Sequence, residues 1–534
     1  MILHLRAWAS PRHILLLLLA ITLLKGLAWS IIVPPWHAPD ENTHFMYGQM
    51  IERFSVLHPT PSIWVNGEIN VSWDLAQIHP VRFDPSKYLD LSHRKTIAEK
   101  IARVGSPELK RAYVYNERKI FPFFYSFTFS HPPLYYFLTG ALQATLEDHS
   151  ILVRILAARW LSVVLGVALT ALAFQVGKII FQSDAWGLLS ATLVAFHPTT
   201  SFMTAVINNN ALEIVLFSAC VLVLLLILRE GLSTRRALVL GVLLGASLLT
   251  RVSLFSLLPL VLVALFWNIY SLRHVGKLNG RALAPWLWVA VIPPLIAGWW
   301  YVDVFKQIAQ SLTGELSDSN FDPISNNQAR IFSYDWITTG ARIAENYWGN
   351  FGWLDTPLPA PLANTLIGLS LVAIALTAVW VIRHWGAESR IQIPQPSLIL
   401  FLVLAILAVF IFYFGLDLTV GFGLQGRYFL PPIIAQMIWL ALGITALTPA
   451  RWRAAVMWLL GAGMIALNLF SLFSVIALRY YGARNLLLVV DRATVLQPVP
   501  APVLFILIAI YFLALALFVP AFWRVLTRES LPAL

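Results

Sequence analysis

Two carboxylates and a histidine within five residues, Asp40, Glu41 and His44, could carry acid–base chemistry. They follow Pro39, and proline suits the first turn of a helix. If a helix begins near Pro39, Asp40 and His44 lie one turn apart on the same face. A carboxylate held there could take the proton from an attacking hydroxyl group, with Glu41 and His44 assisting. Alternatively, the two acidic residues only stabilise a helix start, where negative charge is favourable.

Two arginines could bind a phosphate group. Arg251 follows Thr250 between two apolar runs, and Arg427 lies in Gln425-Gly426-Arg427-Tyr428 at the start of another. A membrane-embedded arginine costs about 3 kcal/mol on insertion scales, so it is expected to face a polar cavity. A guanidinium group can bind phosphate through two parallel hydrogen bonds. The alternatives are a hairpin tip near the interface for Arg251 and an interfacial anchor for Arg427.

Further side chains could line a site for a sugar or a phosphate. His131, just before Pro132 and Pro133, is a candidate donor to either group. Aromatic faces suit sugar rings, but aromatic residues also form belts at membrane interfaces. We expect the cavity wall to include Tyr135, Arg159, Trp353 and Tyr428, although Arg159 could instead be a structural anchor. Asn208, Asn209, Asn210 and Glu213 are expected to cap a helix.

The composition places these residues in a membrane protein. Of the 534 residues, 59% are hydrophobic and 12% are charged, about half the charged share of an average soluble domain. Because the basic residues lie mostly in short loops between apolar runs, the net charge of +11 does not indicate a nucleic-acid partner. The single cysteine, Cys220, excludes a disulfide framework and a cysteine-based metal site.

The apolar runs predict an all-α polytopic protein with about twelve transmembrane or re-entrant helices. The first, 13–33, should be a retained anchor whose Lys25 faces the protein interior or reaches the interface. The stretch 131–145 is too short to span, and 236–250 and 252–270 form a tight pair around Arg251. The other spans are predicted at 151–181, 184–206, 209–229, 285–305, 359–383, 397–415, 428–447, 453–478 and 500–523.

These spans divide the chain into five regions. Residues 1–33 hold the cytoplasmic N-terminus and first span, and 34–150 form an extracytoplasmic layer of amphipathic helices that carries Asp40. Membrane helices follow in 151–305, a second outer loop in 306–358, and the C-terminal membrane helices in 359–534. Both termini are expected in the cytoplasm because most loop arginines then face inward. The loop with Arg479, Arg484 and Arg492 is the exception.

The order of these motifs resembles the GT-C superfamily of polytopic glycosyltransferases, which use polyprenyl-phosphate sugars. The shared features are an acidic pair after the first span, His131 to Tyr136, Arg159-x-x-Ser162, and Thr250-Arg251. Residues 39–44, 351–359 and 426–428 are more closely similar to a bacterial membrane-protein family of unknown function, thought to belong to that superfamily. The resemblance implies that Asp40 is the catalytic carboxylate, with Glu41 as its acidic neighbour, and that Arg251 lies near the lipid phosphate.

These observations predict an inverting glycosyltransferase in the plasma membrane of a bacterium. Its partners would be a polyprenyl-phosphate sugar donor, an acceptor that is a glycan, lipid or protein, and the lipid bilayer. The active site would face the periplasm or the exterior. No acidic triad for a metal is evident, and metal use varies across the superfamily, so a divalent ion, Mg²⁺ or Mn²⁺, stays open. The alternatives are a transporter or flippase of lipid-linked saccharides and, third, a structural protein.

Overall fold

The chain forms a bundle of apolar helices. A computed structural model describes residues 10–54, 64–66, 68–69, 71–72, 113–115, 131–312, 334–384, 395–420, 423–446 and 448–528. Within these residues, nine helices are long and apolar enough to cross a membrane, and two shorter apolar helices accompany them. The predicted all-α polytopic class is therefore confirmed. The nine are Pro11–Ile32, Ile151–Phe181, Asn210–Glu230, Val252–His274, Gly280–Val302, Ala360–His384, Pro396–Thr419, Ala450–Tyr481 and Ala501–Arg528.

We number the α-helices of the described residues in chain order. The first half contains α1 Pro11–Ile32, α2 Glu41–Phe54, α3 Leu134–Thr145, α4 Ile151–Phe181, α5 Asp184–Phe196, α6 Pro198–Met203, α7 Asn210–Glu230, α8 Thr234–Leu248 and α9 Leu258–His274. The second half contains α10 Gly280–Leu283, α11 Trp286–Leu312, α12 Trp336–Gly349, α13 Ala360–His384, α14 Gln395–Val420, α15 Ile433–Ala446, α16 Ala450–Phe470, α17 Ala477–Tyr481, α18 Leu486–Ala493 and α19 Ala501–Arg528.

Two small antiparallel sheets were not predicted from the sequence. The strands Trp64–Asn66 (β1) and Tyr113–Tyr115 (β2) pair with Val65 opposite Val114. The strands Asn350–Phe351 (β3) and Thr356–Pro357 (β4) form a short hairpin after α12. Of the predicted layer of amphipathic helices at 34–150, the structure describes 34–54 with α2, the first sheet, residues 68, 69, 71 and 72, and 131–150 with α3. The rest of that layer, and 313–333 of the second predicted loop, lie outside the described residues.

The predicted span 184–206 is broken at its centre. Helix α5 ends at Phe196 and α6 begins at Pro198, because proline cannot continue the hydrogen-bonding pattern of the preceding turn. Lys25 of α1 lies against this break: its ammonium donates to the Ala195 carbonyl and, at 2.7 Å, to Ser201 Oγ. Its side chain is buried, so of the two predicted placements the structure selects the protein interior.

The two candidate phosphate-binding arginines lie on irregular turns between helices. A 3₁₀ turn, Val252–Leu257, follows Arg251 and connects α8 to α9, as the predicted short pair requires. A second 3₁₀ turn, Gly426–Phe429, carries Arg427, and α15 therefore begins at Ile433 rather than at 428. A Cβ atom on Gly426 would lie 2.2 Å from the backbone nitrogen of Tyr347. Only glycine lets the second turn approach α12 this closely.

Candidate active site

The loop between α1 and α2 is fixed by a buried ion pair. Glu41 is fully buried, and its carboxylate accepts hydrogen bonds from Arg159 Nε at 2.8 Å and Arg159 Nη2 at 2.7 Å. It also accepts from the backbone N–H groups of Trp36 at 3.0 Å and Ile207 at 3.1 Å. Four donors satisfy this carboxylate, which suits it to holding the loop and not to accepting a proton.

Glu41, Arg159 and their hydrogen bonds form a brace beneath the loop, and Arg159 supplies the rest of its contacts. Its remaining N–H groups donate to the carbonyls of Ser30, Val33 and Pro34, at the end of α1 and in the loop that follows. All five donors of the guanidinium are therefore bonded within the protein, and the side chain is fully buried. The expectation that Arg159 lines a substrate cavity thus differs from the structure, which places it as a support beneath the loop.

Asp40 lies at the tip of this loop with a left-handed backbone (φ 60°). The predicted helix start near Pro39 is displaced, since α2 begins at Glu41. Nevertheless, the Asp40 carbonyl accepts the His44 N–H at 3.0 Å, so the two residues stay one turn apart. Aspartate adopts this conformation more readily than most residues, yet it still costs on the order of 1 kcal/mol. The side chain is 22% exposed, in contrast to that of Glu41.

Arg427 brings the second half of the chain onto this loop. Its Nη2 donates to Asp40 Oδ2 at 2.7 Å, and its Nη1 donates to the Pro39 carbonyl at 3.3 Å. The guanidinium therefore contacts both the backbone and the carboxylate at the loop tip. Its buried Nε has no hydrogen-bond partner among the described residues. A buried N–H group normally has a hydrogen-bond acceptor, so this one can donate to an acceptor atom of a ligand.

Arg251 lies beside this pair with a carboxylate of its own. Its Nη1 donates to Glu213 Oε2 at 2.8 Å and to Asn210 Oδ1. Tyr413 also donates to Glu213, at 3.3 Å. The expectation that Asn210 and Glu213 cap α7 is corrected, since both side chains accept hydrogen bonds from Arg251. A glutamate in the first turn of an otherwise apolar helix was the available sequence signal for this partner.

Tyr428 joins the two arginines. The guanidinium carbons of Arg251 and Arg427 lie 5.4 Å and 5.2 Å from the centre of its ring, within the range of cation–π attraction. Its other neighbour is Tyr413, whose ring stacks on it with centroids 5.2 Å apart. Asp40, Arg427, Tyr428 and Arg251 therefore form one contiguous cluster.

Two buried histidines adjoin the cluster. The rings of His44 and His131 are parallel to within 7°, with centroids 6.3 Å apart. His44 Nδ1 lies 2.7 Å from the hydroxyl of Tyr136, a partner that the sequence did not single out. Burial lowers the pKa of both histidines well below the ordinary value of 6.5, and the charges of Arg251 and Arg427 lower it further. Both are therefore neutral at pH 7 and can donate a hydrogen bond without a positive charge.

Two predicted cavity residues lie elsewhere. Tyr135 is fully buried; its hydroxyl lies 3.1 Å from Ser162 Oγ and accepts the Asn208 N–H at 3.0 Å. It therefore packs behind the loop rather than facing a ligand. Trp353 is partly exposed, and its Nε1 donates to the Trp36 carbonyl at 3.0 Å, so it supports the loop four residues before Asp40.

The elements around the cluster carry further polar atoms without partners among the described residues. They belong to Asn42, Gln49, Asn209 and Gln425. Because buried polar atoms are nearly always hydrogen-bonded in folded proteins, these elements can accommodate a polar ligand or ordered water. Across the described part of the chain, no three histidine, cysteine, aspartate or glutamate side chains group as a metal site.

Comparisons with known proteins identify a family. The model of a family described as "Predicted membrane protein (DUF2142)" matches residues 23–436, more than half of the chain. A comparison with curated proteins finds no match. The match covers the Asp40 loop, both arginine turns and the histidines.

Some solved structures are similar to the chain at low sequence identity. One is ArnT from Cupriavidus metallidurans bound to undecaprenyl phosphate, with 13% identity, a TM-score of 0.44 and coverage of 97% of this chain and 76% of that chain. Another is the archaeal oligosaccharyltransferase AglB from Archaeoglobus fulgidus in complex with an inhibitory peptide and a dolichol-phosphate. It has 13% identity, a TM-score of 0.46 and coverage of 88% of this chain and 56% of that one, so the present chain spans about half its length.

Proposed function

The chain belongs to the DUF2142 family of predicted membrane proteins, and we propose that it is an inverting GT-C-type glycosyltransferase. Its donor is a sugar linked to polyprenyl phosphate, and its acceptor is a hydroxyl group of a glycan, lipid or protein. The reaction takes place at the end of the bundle that carries Asp40, on the outer face of a bacterial plasma membrane. The single observation that carries the proposal is the 2.7 Å contact between Asp40 and Arg427, with Arg251 adjacent across Tyr428.

Asp40 is the general base of the proposed reaction. The acceptor oxygen attacks the anomeric carbon of the sugar as its proton passes to the Asp40 carboxylate. The bond between that carbon and the phosphate oxygen breaks, and polyprenyl phosphate leaves with the electron pair. Glu41 is already bonded to four donors, which leaves the partly exposed Asp40 as the carboxylate available for this role.

The two arginines meet the charge that develops on the leaving phosphate. Arg427 offers its Nε, which has no hydrogen-bond partner among the described residues. Arg251 contacts the ring of Tyr428, as Arg427 does. Donors fixed in place before the reaction stabilise developing charge without reorganising. The neutral His44 and His131 can add hydrogen bonds to the phosphate or to the sugar without adding a positive charge.

Before the donor binds, the Asp40–Arg427 pair keeps the site in an inactive state. With both residues paired, the carboxylate already accepts a hydrogen bond from the guanidinium and is poorly available as a base. A donor phosphate that contacts Arg427 competes with Asp40 for the same guanidinium. Binding of the donor therefore releases Asp40 to take the acceptor proton, which limits proton uptake to the occupied site.

The direct test is incubation of the purified protein with polyprenyl-phosphate sugars and a panel of acceptor hydroxyls. The proposal predicts free polyprenyl phosphate and a glycosylated product of inverted configuration. A transporter is the second candidate, favoured by the broken helices α5–α6 and α8–α9, since such breaks form substrate sites in transporters. It would move the lipid-linked sugar across a vesicle bilayer and release no polyprenyl phosphate.

A further inference from the structure

A cavity of about 880 Å³, with three arginines in its wall, lies apart from the Asp40 cluster. It is lined by Arg479, Arg484 and Arg492, the residues that form the exception to the predicted inward placement of positive charge. None of the cluster residues Asp40, Arg251, Arg427 and Tyr428 belongs to its wall. The cavity is therefore a separate feature that the proposed transfer reaction does not use.

The cavity lies at the same end of the bundle as Asp40. Its lining residue Tyr481 donates to the Ile32 carbonyl, at the end of α1, at 2.6 Å. Its lining residue Tyr480 contacts the ring of His37, with centroids 5.0 Å apart. The start of α13 and the end of the candidate span Ala450–Tyr481 both border it. The ends of membrane spans lie at the level of the lipid headgroups.

The charges around the cavity favour an anion. Arg479 lies 4.0 Å from Asp355, and Arg492 donates to the Tyr481 carbonyl, so both are held in position. Arg484 is exposed. Glu345 also lines the cavity, so three arginines face two carboxylates and leave one positive charge in excess. Burial raises the pKa of Asp355 above its ordinary value.

Apolar clefts continue from this cavity along the helices. One of about 480 Å³ runs between α13, α15 and α16 and is lined by apolar side chains such as Leu366, Leu440 and Met464. A second, of about 330 Å³, is bordered by Phe473 and Phe512. Phe470 lines all three spaces, so the basic cavity adjoins both apolar clefts. A basic cavity beside an apolar cleft matches the charged headgroup and the hydrocarbon chains of a lipid.

We propose that this cavity binds an anionic phospholipid of the surrounding bilayer, one whose headgroup carries a net negative charge. The phosphate contacts Arg484 and Arg492, with Arg479 beside it, and a hydrocarbon chain lies in the 480 Å³ cleft beyond Phe470. Arginine binds phosphate oxygens through paired hydrogen bonds, and basic pockets between membrane helices are sites for anionic headgroups. This proposal does not depend on the proposed glycosyl transfer, and a different experiment tests it.

The test measures lipid binding to delipidated protein by native mass spectrometry. The probes are dioleoyl phosphatidylglycerol, dioleoyl phosphatidylcholine and inorganic phosphate. The combined variant Arg479→Gln, Arg484→Gln and Arg492→Gln should weaken phosphatidylglycerol binding by about tenfold or more, because charge-assisted hydrogen bonds are lost. The exposed arginines of the matched control, Arg235→Gln, Arg281→Gln and Arg524→Gln, line none of the three spaces and should leave binding unchanged.

A second variant tests the hydrocarbon half. Gly463 lines the 480 Å³ cleft, and a Cβ atom there would meet nothing within 4 Å, so Gly463→Phe fills the cleft without a local clash. It should weaken phosphatidylglycerol binding while the basic cavity stays intact. If the triple variant does not fold, Arg484→Gln alone replaces it, since that side chain is exposed. Equal binding of both dioleoyl lipids, or equal loss in the control triple, would overturn the proposal. So would binding of inorganic phosphate as tight as that of phosphatidylglycerol.

Discussion

The carboxylate of Asp40 and the guanidinium of Arg427 form an ion pair at 2.7 Å, although 387 positions separate them in the chain. The pair joins the loop after α1 to the turn before α15. It also places the proposed base next to a cation that can bind the leaving phosphate. The most specific predictions follow from this contact and from the buried brace beneath it.

Arg427→Gln should impair donor use more than it impairs folding. The substitution removes the charge-assisted hydrogen bond to Asp40 and the proposed contact with the phosphate. A loss of about 2–3 kcal/mol corresponds to a fall in kcat/KM of roughly 30- to 150-fold. Steady-state kinetics with varied donor concentration measure it. Arg342→Gln, at an exposed arginine of α12, is the matched control. An unchanged kcat/KM in Arg427→Gln would remove this residue from the mechanism.

Arg159→Gln should destabilise the protein. It leaves the Glu41 carboxylate buried without its charged partner, and breaking a buried ion pair in this way costs about 3–5 kcal/mol. The melting temperature in detergent should fall clearly. Lys178→Gln breaks the exposed pair with Asp184, whose side chains are 48% and 32% exposed, and should cost at most about 1 kcal/mol.

Glu41→Gln separates a structural role from a catalytic one. We expect a lower melting temperature, since the brace loses its charge, and an activity loss that follows the loss of folded protein. A variant that melts normally but has no turnover would instead assign Glu41 to the chemistry, contrary to its four internal donors.

Stability should depend on pH through His44 and His131. Their folded pKa values lie well below 6.5, whereas the unfolded chain takes up protons near 6.5. Between the two values the unfolded state binds more protons, so stability rises with pH and levels off above about 6.5. Melting temperatures measured from pH 7 to pH 5 should therefore fall. His44→Gln with His131→Gln should flatten the slope, while His149→Gln, an exposed histidine, should not. An equal slope in both variants would contradict the buried, neutral state of the pair.

Much of the fold could be predicted because the apolar runs report directly on membrane helices. The break at Arg251 was equally visible, since a charge between two short apolar runs interrupts a span. The break at His197 was not predicted, because Pro198 lies within a run long enough for one helix. The small sheets were missed because two- and three-residue strands leave no periodic pattern.

The site was predicted in its residue types but not in its pairings. Asp40, Arg251 and Arg427 were singled out by local rules. Their partners depend on contacts between distant segments: Glu41 lies 118 positions from Arg159, and Glu213 lies 38 positions from Arg251. Local spacing therefore placed Glu41 beside Asp40 as an assisting carboxylate, while the fold separates a saturated buried carboxylate from a partly exposed one.

Turnover by Asp40→Asn tests the central claim most directly. The substitution keeps the shape of the side chain and can still contact Arg427, but it removes the proton acceptor. Release of polyprenyl phosphate from a donor sugar, in the presence of an acceptor, should fall to background while expression and melting temperature match those of the wild-type protein. Retained turnover in a folded Asp40→Asn protein would contradict the account, because another group would then have to act as the base.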